Sequence, residues 1–199
     1  MVSIERNTAE TKIKVTLNLQ GEGNYNIDTG IGFFDHMLEL WARHGFFDLD
    51  LNVEGDLYVD GHHTVEDTGI VIGQAINKEL GQREGIQRYG DVVLPMDECL
   101  VIVAVDLGGR SYYNSDLDFN REKVGDFPVE LFDEFFTALT ANGNFNLHYK
   151  MLRGGNTHHM LEACFKGFAR TLDEAVQADP RLGENIMSTK GRLSEGDSN

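Results

Sequence analysis

The sequence predicts an α+β fold made of an internally duplicated half-domain, with two mostly antiparallel sheets and helices packed between them. Three observations carry that expectation. The pentapeptide His62-His63-Thr64-Val65-Glu66 returns as His158-His159-Met160-Leu161-Glu162. The stretch from Phe34-Asp35 to Gly45-Phe46-Phe47-Asp48-Leu49 returns, at constant spacing, as Phe132-Asp133 to Gly143-Asn144-Phe145-Asn146-Leu147. Strand-like and helix-like apolar periodicities follow one another in the same order in both halves. A weaker pair, Ala9-Glu10-Thr11 and Asp97-Glu98-Cys99, precedes a strand-like run in each half at a shorter spacing. The expected units are half-repeats at 1–92 and 93–187, followed by a turn and polar tail at 188–199.

Ile13, Val15, Leu17 and Leu19 alternate with polar residues, as a half-buried strand does, up to the turn Gly21-Glu22-Gly23-Asn24. Phe33 to His44 has helical spacing and is expected to stop at Gly45, a residue that favours the left-handed conformation ending many helices. Phe47, Leu49, Leu51 and Val53 form a second alternating strand, and Thr64 to Leu80 a helix with Gly81 just past its end. The second half repeats the plan: strands near 100–107 and 111–116, a helix over 130–141, a strand through Phe145, Leu147 and Tyr149, and a helix over 157–178. Residues 193–199 are too polar and short to pack and are expected to be a disordered tail.

Composition limits the partners. The chain has 199 residues, 41% of them hydrophobic, enough for a real core. No stretch is long and apolar enough to span a bilayer, and Met1 to Lys12 lacks the apolar run of a signal peptide. Cys99 and Cys164 lie in or beside apolar runs, which suits reduced thiols in a cytoplasmic protein. A net charge of −16 argues against a general nucleic-acid surface, while leaving room for a local cationic pocket. No membrane or nucleic-acid partner is therefore expected.

The two HHxxE segments carry the chemistry. On a helix the first His and the Glu stand at i and i+4 on one face, and the second His points about 100° away. One segment cannot easily offer all three groups to one ion. Two segments can serve two ions, each taking a His and Glu from one half and the remaining His from the other. The duplication also aligns His36 with Glu134, giving each half one more possible ligand.

Gly32-Phe33-Phe34-Asp35-His36-Met37-Leu38, Asp60-Gly61-His62-His63-Thr64-Val65-Glu66-Asp67, the run from Asn156 through His158, His159, Glu162 and Lys166 to Arg170, and Ser188-Thr189-Lys190-Gly191 closely resemble imidazoleglycerol-phosphate dehydratases of histidine biosynthesis. The resemblance covers nearly the whole chain in order and spacing. It implies dehydration of imidazole glycerol phosphate to imidazole acetol phosphate with two Mn2+ per site. The proton lost is not next to a carbonyl, so another electron source must expel the hydroxyl. Two metals match the two nitrogens of the substrate ring; favouring its imidazolate form would let the ring push out the adjacent hydroxyl, after which a carboxylate could take the acidified neighbouring proton.

On this resemblance one metal is assigned to His36, His63, His158 and Glu162, and the other to His62, Glu66, His159 and Glu134. The family often has histidine where Glu134 stands, so this site would be the harder of the two and direct coordination by Glu134 stays open. Ligand chemistry alone would also admit iron, cobalt, nickel or zinc. Glu10 matches the family's acid/base carboxylate, which reaches the substrate from a neighbouring subunit, and is counted as catalytic with Glu66 and Glu162. Arg88, Arg110, Ser188, Thr189 and Lys190 match phosphate-binding positions, with Glu10 also against substrate. The resemblance further implies a homo-oligomer of 24 subunits with active sites at interfaces. His44, at a helix end, and His148, on the polar side of a strand, are read as structural. A two-metal phosphate-ester hydrolase and a metal-locked structural shell are the rival readings.

Overall fold

The computed structural model describes residues 1–191 and Leu193; the rest of the expected tail lies outside the described residues. Strands β1 (Val2–Asn7), β2 (Thr11–Asn18) and β3 (Tyr25–Asp28), helix α1 (Gly32–Gly45), strand β4 (Asp48–Gly55) and helix α2 (His62–Leu80) make the first half. The second contains β5 (Tyr89–Met96), β6 (Cys99–Asp106), β7 (Tyr112–Asp116), the short β8 (Lys123–Val124) and β9 (Phe127–Pro128), α3 (Leu131–Gly143), β10 (Asn146–Arg153) and α4 (Thr157–Val176). The sheets are ordered β1-β2-β4-β3 and β5-β6-β10-β7. In each, two pairings are antiparallel and the last, β3 with β4 or β7 with β10, is parallel. The α+β class and the duplicated plan are those expected; the β8-β9 hairpin is an addition to the second half.

The helices join the sheets. α2 lies on β1, β2 and β4, α4 on β5 and β6, while α2 packs on α3 and α1 on α4. One continuous core results, with Val15, Leu17, Leu51, Val103, Phe136 and Leu147 fully buried. Gly69 and Gly73 let α2 approach α3 closely, since a Cβ there would stand 2.6 Å from the Phe135 carbonyl oxygen and 2.4 Å from that of Leu139. Burial of these apolar faces, at about 25 cal/mol per Å2, is what holds the two halves together.

Several local expectations are corrected. Gly45 is not the left-handed residue after α1: Phe46 is, at φ 57°, and Asn144 takes the same role after α3 at φ 52°. The preceding glycines are needed for space, because a Cβ on Gly45 or Gly143 would lie 2.1 Å or 2.3 Å from the ring of Phe47 or Phe145. Helix α2 starts at His62 rather than Thr64, so both histidines are helical. Strands β1, β3 and β5 were not anticipated, and the expected 92/93 junction falls inside β5, whose counterpart is β1. Among the described residues no helix is long and apolar enough to cross a membrane.

Candidate active site

The starts of α2 and α4 carry the paired histidines, and the starts of α1 and α3 bring His36 and Glu134. At α4 the Asn156 side chain accepts from the His158 amide at 2.9 Å, and at α2 Asp60 accepts from the His62 amide at 2.8 Å. Both bonds satisfy donors that a helix start leaves open. The i,i+4 geometry then holds in each helix: His158 Nε2 lies 2.9 Å from Glu162 Oε1, and His62 Nε2 lies 3.6 Å from Glu66 Oε2.

His36 completes a group on α4. Its Nε2 is 3.6 Å from Glu162 Oε1, and one donor atom from each of His36, His158 and Glu162 lies within 4.8 Å of the other two. The edge of Phe33 against His158, with centroids 5.1 Å apart, supports the imidazole from behind. Lys166 Nζ donates to the second oxygen of buried Glu162. Burial by itself would raise the Glu162 pKa, but bonds from Lys166 and His158 outweigh it and hold the carboxyl below its usual range.

The second histidine of each pair faces elsewhere. His63 Nδ1 meets both oxygens of Asp56 at 3.0 and 3.2 Å, with Nε2 facing Glu10 Oε1 at 3.8 Å. His159 Nδ1 meets both oxygens of Glu98 at 3.0 and 3.3 Å, with Nε2 3.9 Å from Asp97 Oδ2. Of the first expected ligand set, then, one chain brings together His36, His158 and Glu162 but not His63. Of the second it brings together His62 and Glu66; Glu134 is exposed and makes no ion pair or hydrogen bond among the described residues, and His159 lies with Asp97 and Glu98.

Glu10 sits in a braced turn. Thr8 Oγ1 accepts from the amides of Glu10 and Thr11, and the Glu10 carbonyl accepts from the Asp56 amide at 3.1 Å. Thr11 donates to buried Asp67, whose other oxygen takes Arg6 at 2.8 Å. These contacts tie the Glu10 turn to the helix that bears His62 and Glu66.

Around the expected phosphate positions, Arg88 pairs with Asp106 through Nε at 2.7 Å and Nη2 at 3.1 Å, while Nη1 donates to the Met187 carbonyl at 2.7 Å. Arg88 therefore draws the Ser188 turn toward β6. Gly108 makes room, since a Cβ there would lie 2.8 Å from Arg88 Nη2. Ser188 Oγ accepts from the Lys190 amide at 3.2 Å. Arg110, Thr189 and Lys190 are exposed, and the Arg110 carbonyl accepts from Asn146 at 2.6 Å. Sequence reading assigned no role to Asp56, Asp67, Asp106 or Lys166; only Lys166, four residues after Glu162, carried a local signal. His148 is exposed beside Tyr112, as its strand position suggested.

The family model for imidazoleglycerol-phosphate dehydratase matches residues 29–172, spanning both HHxxE segments. Relatives bearing that name include proteins of Acetivibrio thermocellus, 53% identical over 190 residues that cover 96% of this chain and 97% of that one, and of Clostridium acetobutylicum, 55% identical over 190 residues and 96% of each. Among solved structures, the imidazoleglycerol-phosphate dehydratase of Staphylococcus aureus superposes with a TM-score of 0.79 at 38% identity, covering 89% of this chain and 100% of that one. The enzyme of Pyrococcus furiosus in complex with (S)-C348 gives 0.82 at 35% identity, covering 96% and 100%. Sequence, site and fold agree over nearly the full length, and the chain belongs to the imidazoleglycerol-phosphate dehydratase family of hydro-lyases.

Proposed function

We propose that this chain dehydrates imidazole glycerol phosphate to imidazole acetol phosphate in histidine biosynthesis, as a manganese-dependent enzyme of the cytoplasm. The observation that carries the reading is the convergence of His36, His158 and Glu162 within 4.8 Å, braced by Lys166. Two imidazoles and a carboxylate fit a divalent transition ion, and manganese is the family's expectation. The full ligand sets are His36, His63, His158 and Glu162 for one ion and His62, Glu66, His159 and Glu134 for the other. When bound, two ions would supply the Lewis acidity that favours the imidazolate form of the substrate ring.

The protein's own groups do the rest. Glu10 takes the proton from the carbon beside the one that loses hydroxyl, with Glu66 and Glu162 as further carboxylates close to the chemistry. Arg88, Arg110, Ser188, Thr189 and Lys190 hold the phosphate, offsetting locally the overall charge of −16. The five ligand histidines keep 30–45% of their side-chain surface exposed, which supports completion of each set between copies in a homo-oligomer of 24 subunits. Free, buried Cys99 and Cys164 fit a reducing compartment.

The test is to strip the purified protein of metal, reload it with manganese and follow conversion of imidazole glycerol phosphate together with free phosphate. Manganese-dependent imidazole acetol phosphate without phosphate release is the expected result. Release of phosphate would establish a hydrolase instead. Particle size is measured in parallel: metal removal should loosen the assembly, because ligands at an interface lose their shared ion. A particle unchanged by verified stripping would overturn the interface placement.

A further inference from the structure

We propose that Asp56 and Glu98 are positioning residues for His63 and His159, holding each ring in the tautomer that keeps its proton on Nδ1 and offers Nε2 to an ion. The proposal rests on the metal-binding reading above and extends it to groups beyond the ligands. A carboxylate at neutral pH can only accept, so the ring nitrogen facing it must donate. The neutral imidazole then has its lone pair on Nε2.

The contact is the same in both halves. Asp56 brackets His63 Nδ1 at 3.0 and 3.2 Å, and Glu98 brackets His159 Nδ1 at 3.0 and 3.3 Å. The two carboxylates nevertheless come from different places in the repeat. Asp56 follows β4, and the residue in the matching place after β10 is Gly154. Glu98 lies in the turn before β6, where its counterpart before β2 is Glu10. Here two unrelated positions supply an acceptor to the same nitrogen of matching histidines.

Both acceptors are themselves held. The Asp56 amide donates to the Glu10 carbonyl, and its side chain is only 13% exposed. Glu98 accepts from the Asn156 amide at 2.6 Å, and Gly155 leaves room for its carboxylate in this position, since a Cβ there would stand 2.3 Å from Glu98 Oε1 and displace it. Carboxylates that orient metal-ligating histidines in this way typically carry about 10–100-fold in metal affinity.

The experiment titrates Mn2+ against a competing chelator on the assembled protein and on Asp56→Ala, Asp56→Asn, Glu98→Gln, His63→Ala and His159→Ala. Asp56→Ala should weaken one class of Mn2+ site about 10–100-fold, and Asp56→Asn less, since its amide oxygen still accepts. Glu98→Gln should weaken the other class by a similarly smaller margin, since its amide oxygen also still accepts. Wild-type affinity in the Asp56 and Glu98 variants, with affinity lost in both histidine variants, overturns the positioning role and leaves the metal reading standing. Wild-type affinity in the histidine variants as well removes the reading beneath it. The unmodified protein gives a check that needs no variant to fold: solid-state 15N spectra of the metal-free protein at alkaline pH should show both rings protonated on Nδ1, and protonation on Nε2 would overturn the proposal.

Discussion

Glu10 and Glu98 stand at matching points of the two half-domains, one in the turn before β2 and the other in the turn before β6, yet their surroundings differ. Glu98 is engaged by His159 and by the Asn156 amide, and the amide first and the histidine next pull its pKa down to about 2. Among the described residues the Glu10 side chain has a single long approach, 3.8 Å to His63, and it is 55% exposed. The difference follows from a neighbour: Asp56 holds His63, whereas Gly154 leaves that task to Glu98. Duplication thus supplied the frame, and the placement of one carboxylate decided which half keeps the more loosely held glutamate.

The largest expected effect sharpens this contrast. Glu10→Gln should lower kcat by about 10²–10⁴-fold, with Mn2+ content and particle size unchanged. Glu98→Gln should keep most of its turnover once manganese is saturating. Equal losses of kcat from both variants at saturating manganese, measured in the same steady-state assay, would erase the distinction.

The helix pairs differ as well. Where α2 has Gly69 and Gly73 against α3, α4 has Phe165 and Ala169 in the matching places. α2 lies close to α3 because small residues allow it; α4 instead reaches α3 with an aromatic ring, the Phe165 centroid standing 5.8 Å from that of Phe135 and 5.1 Å from that of Phe136. Phe165→Ala should therefore cost about 3–5 kcal/mol by opening a cavity. Gly73→Ala should cost about 1–3 kcal/mol for the opposite reason, overpacking. Thermal or denaturant unfolding of both variants checks the pair, and a stabilised Gly73→Ala protein would show that helix propensity, not close approach, governs α2.

The repeated helices and central strands were legible because their apolar spacing is strong: Ile13, Val15 and Leu17 alternate without interruption, as do Val101, Val103 and Val105. The missed strands have weaker patterns for physical reasons. In β1 the inward series Val2, Ile4 ends in Arg6, whose charge is met by Asp67. β3 has four residues, only one of them apolar and inward, and β5 is an edge strand that carries Asp91 and Pro95. The HHxxE face was legible because it depends on helix geometry alone. Glu98 and Asp67 act across long sequence separations, which no local periodicity records, and Asp56 reaches His63, seven residues on, across the irregular connection between β4 and α2.

A smaller test of the two halves lies at the start of β4 and β10, where Asp48 and Asn146 hold matching places. Asp48 Oδ1 accepts from the amides of Asn24 and Glu22, each at 3.0 Å, and these bonds, Asn24 first, lower its pKa below the ordinary 3.8. Asn146 instead donates to the Arg110 carbonyl and does not titrate. A carboxyl with a depressed folded-state pKa contributes stability that is present above its unfolded value and lost as the pH falls through the folded one. Asp48→Asn should lower the unfolding temperature near neutral pH, and the gap from wild type should close below the ordinary carboxylate range. Asn146→Ala should open a gap that stays constant across the same pH series. If the Asp48→Asn gap also stayed constant, the Asp48 bonds would act through shape rather than charge, and the two halves would be equivalent at this position.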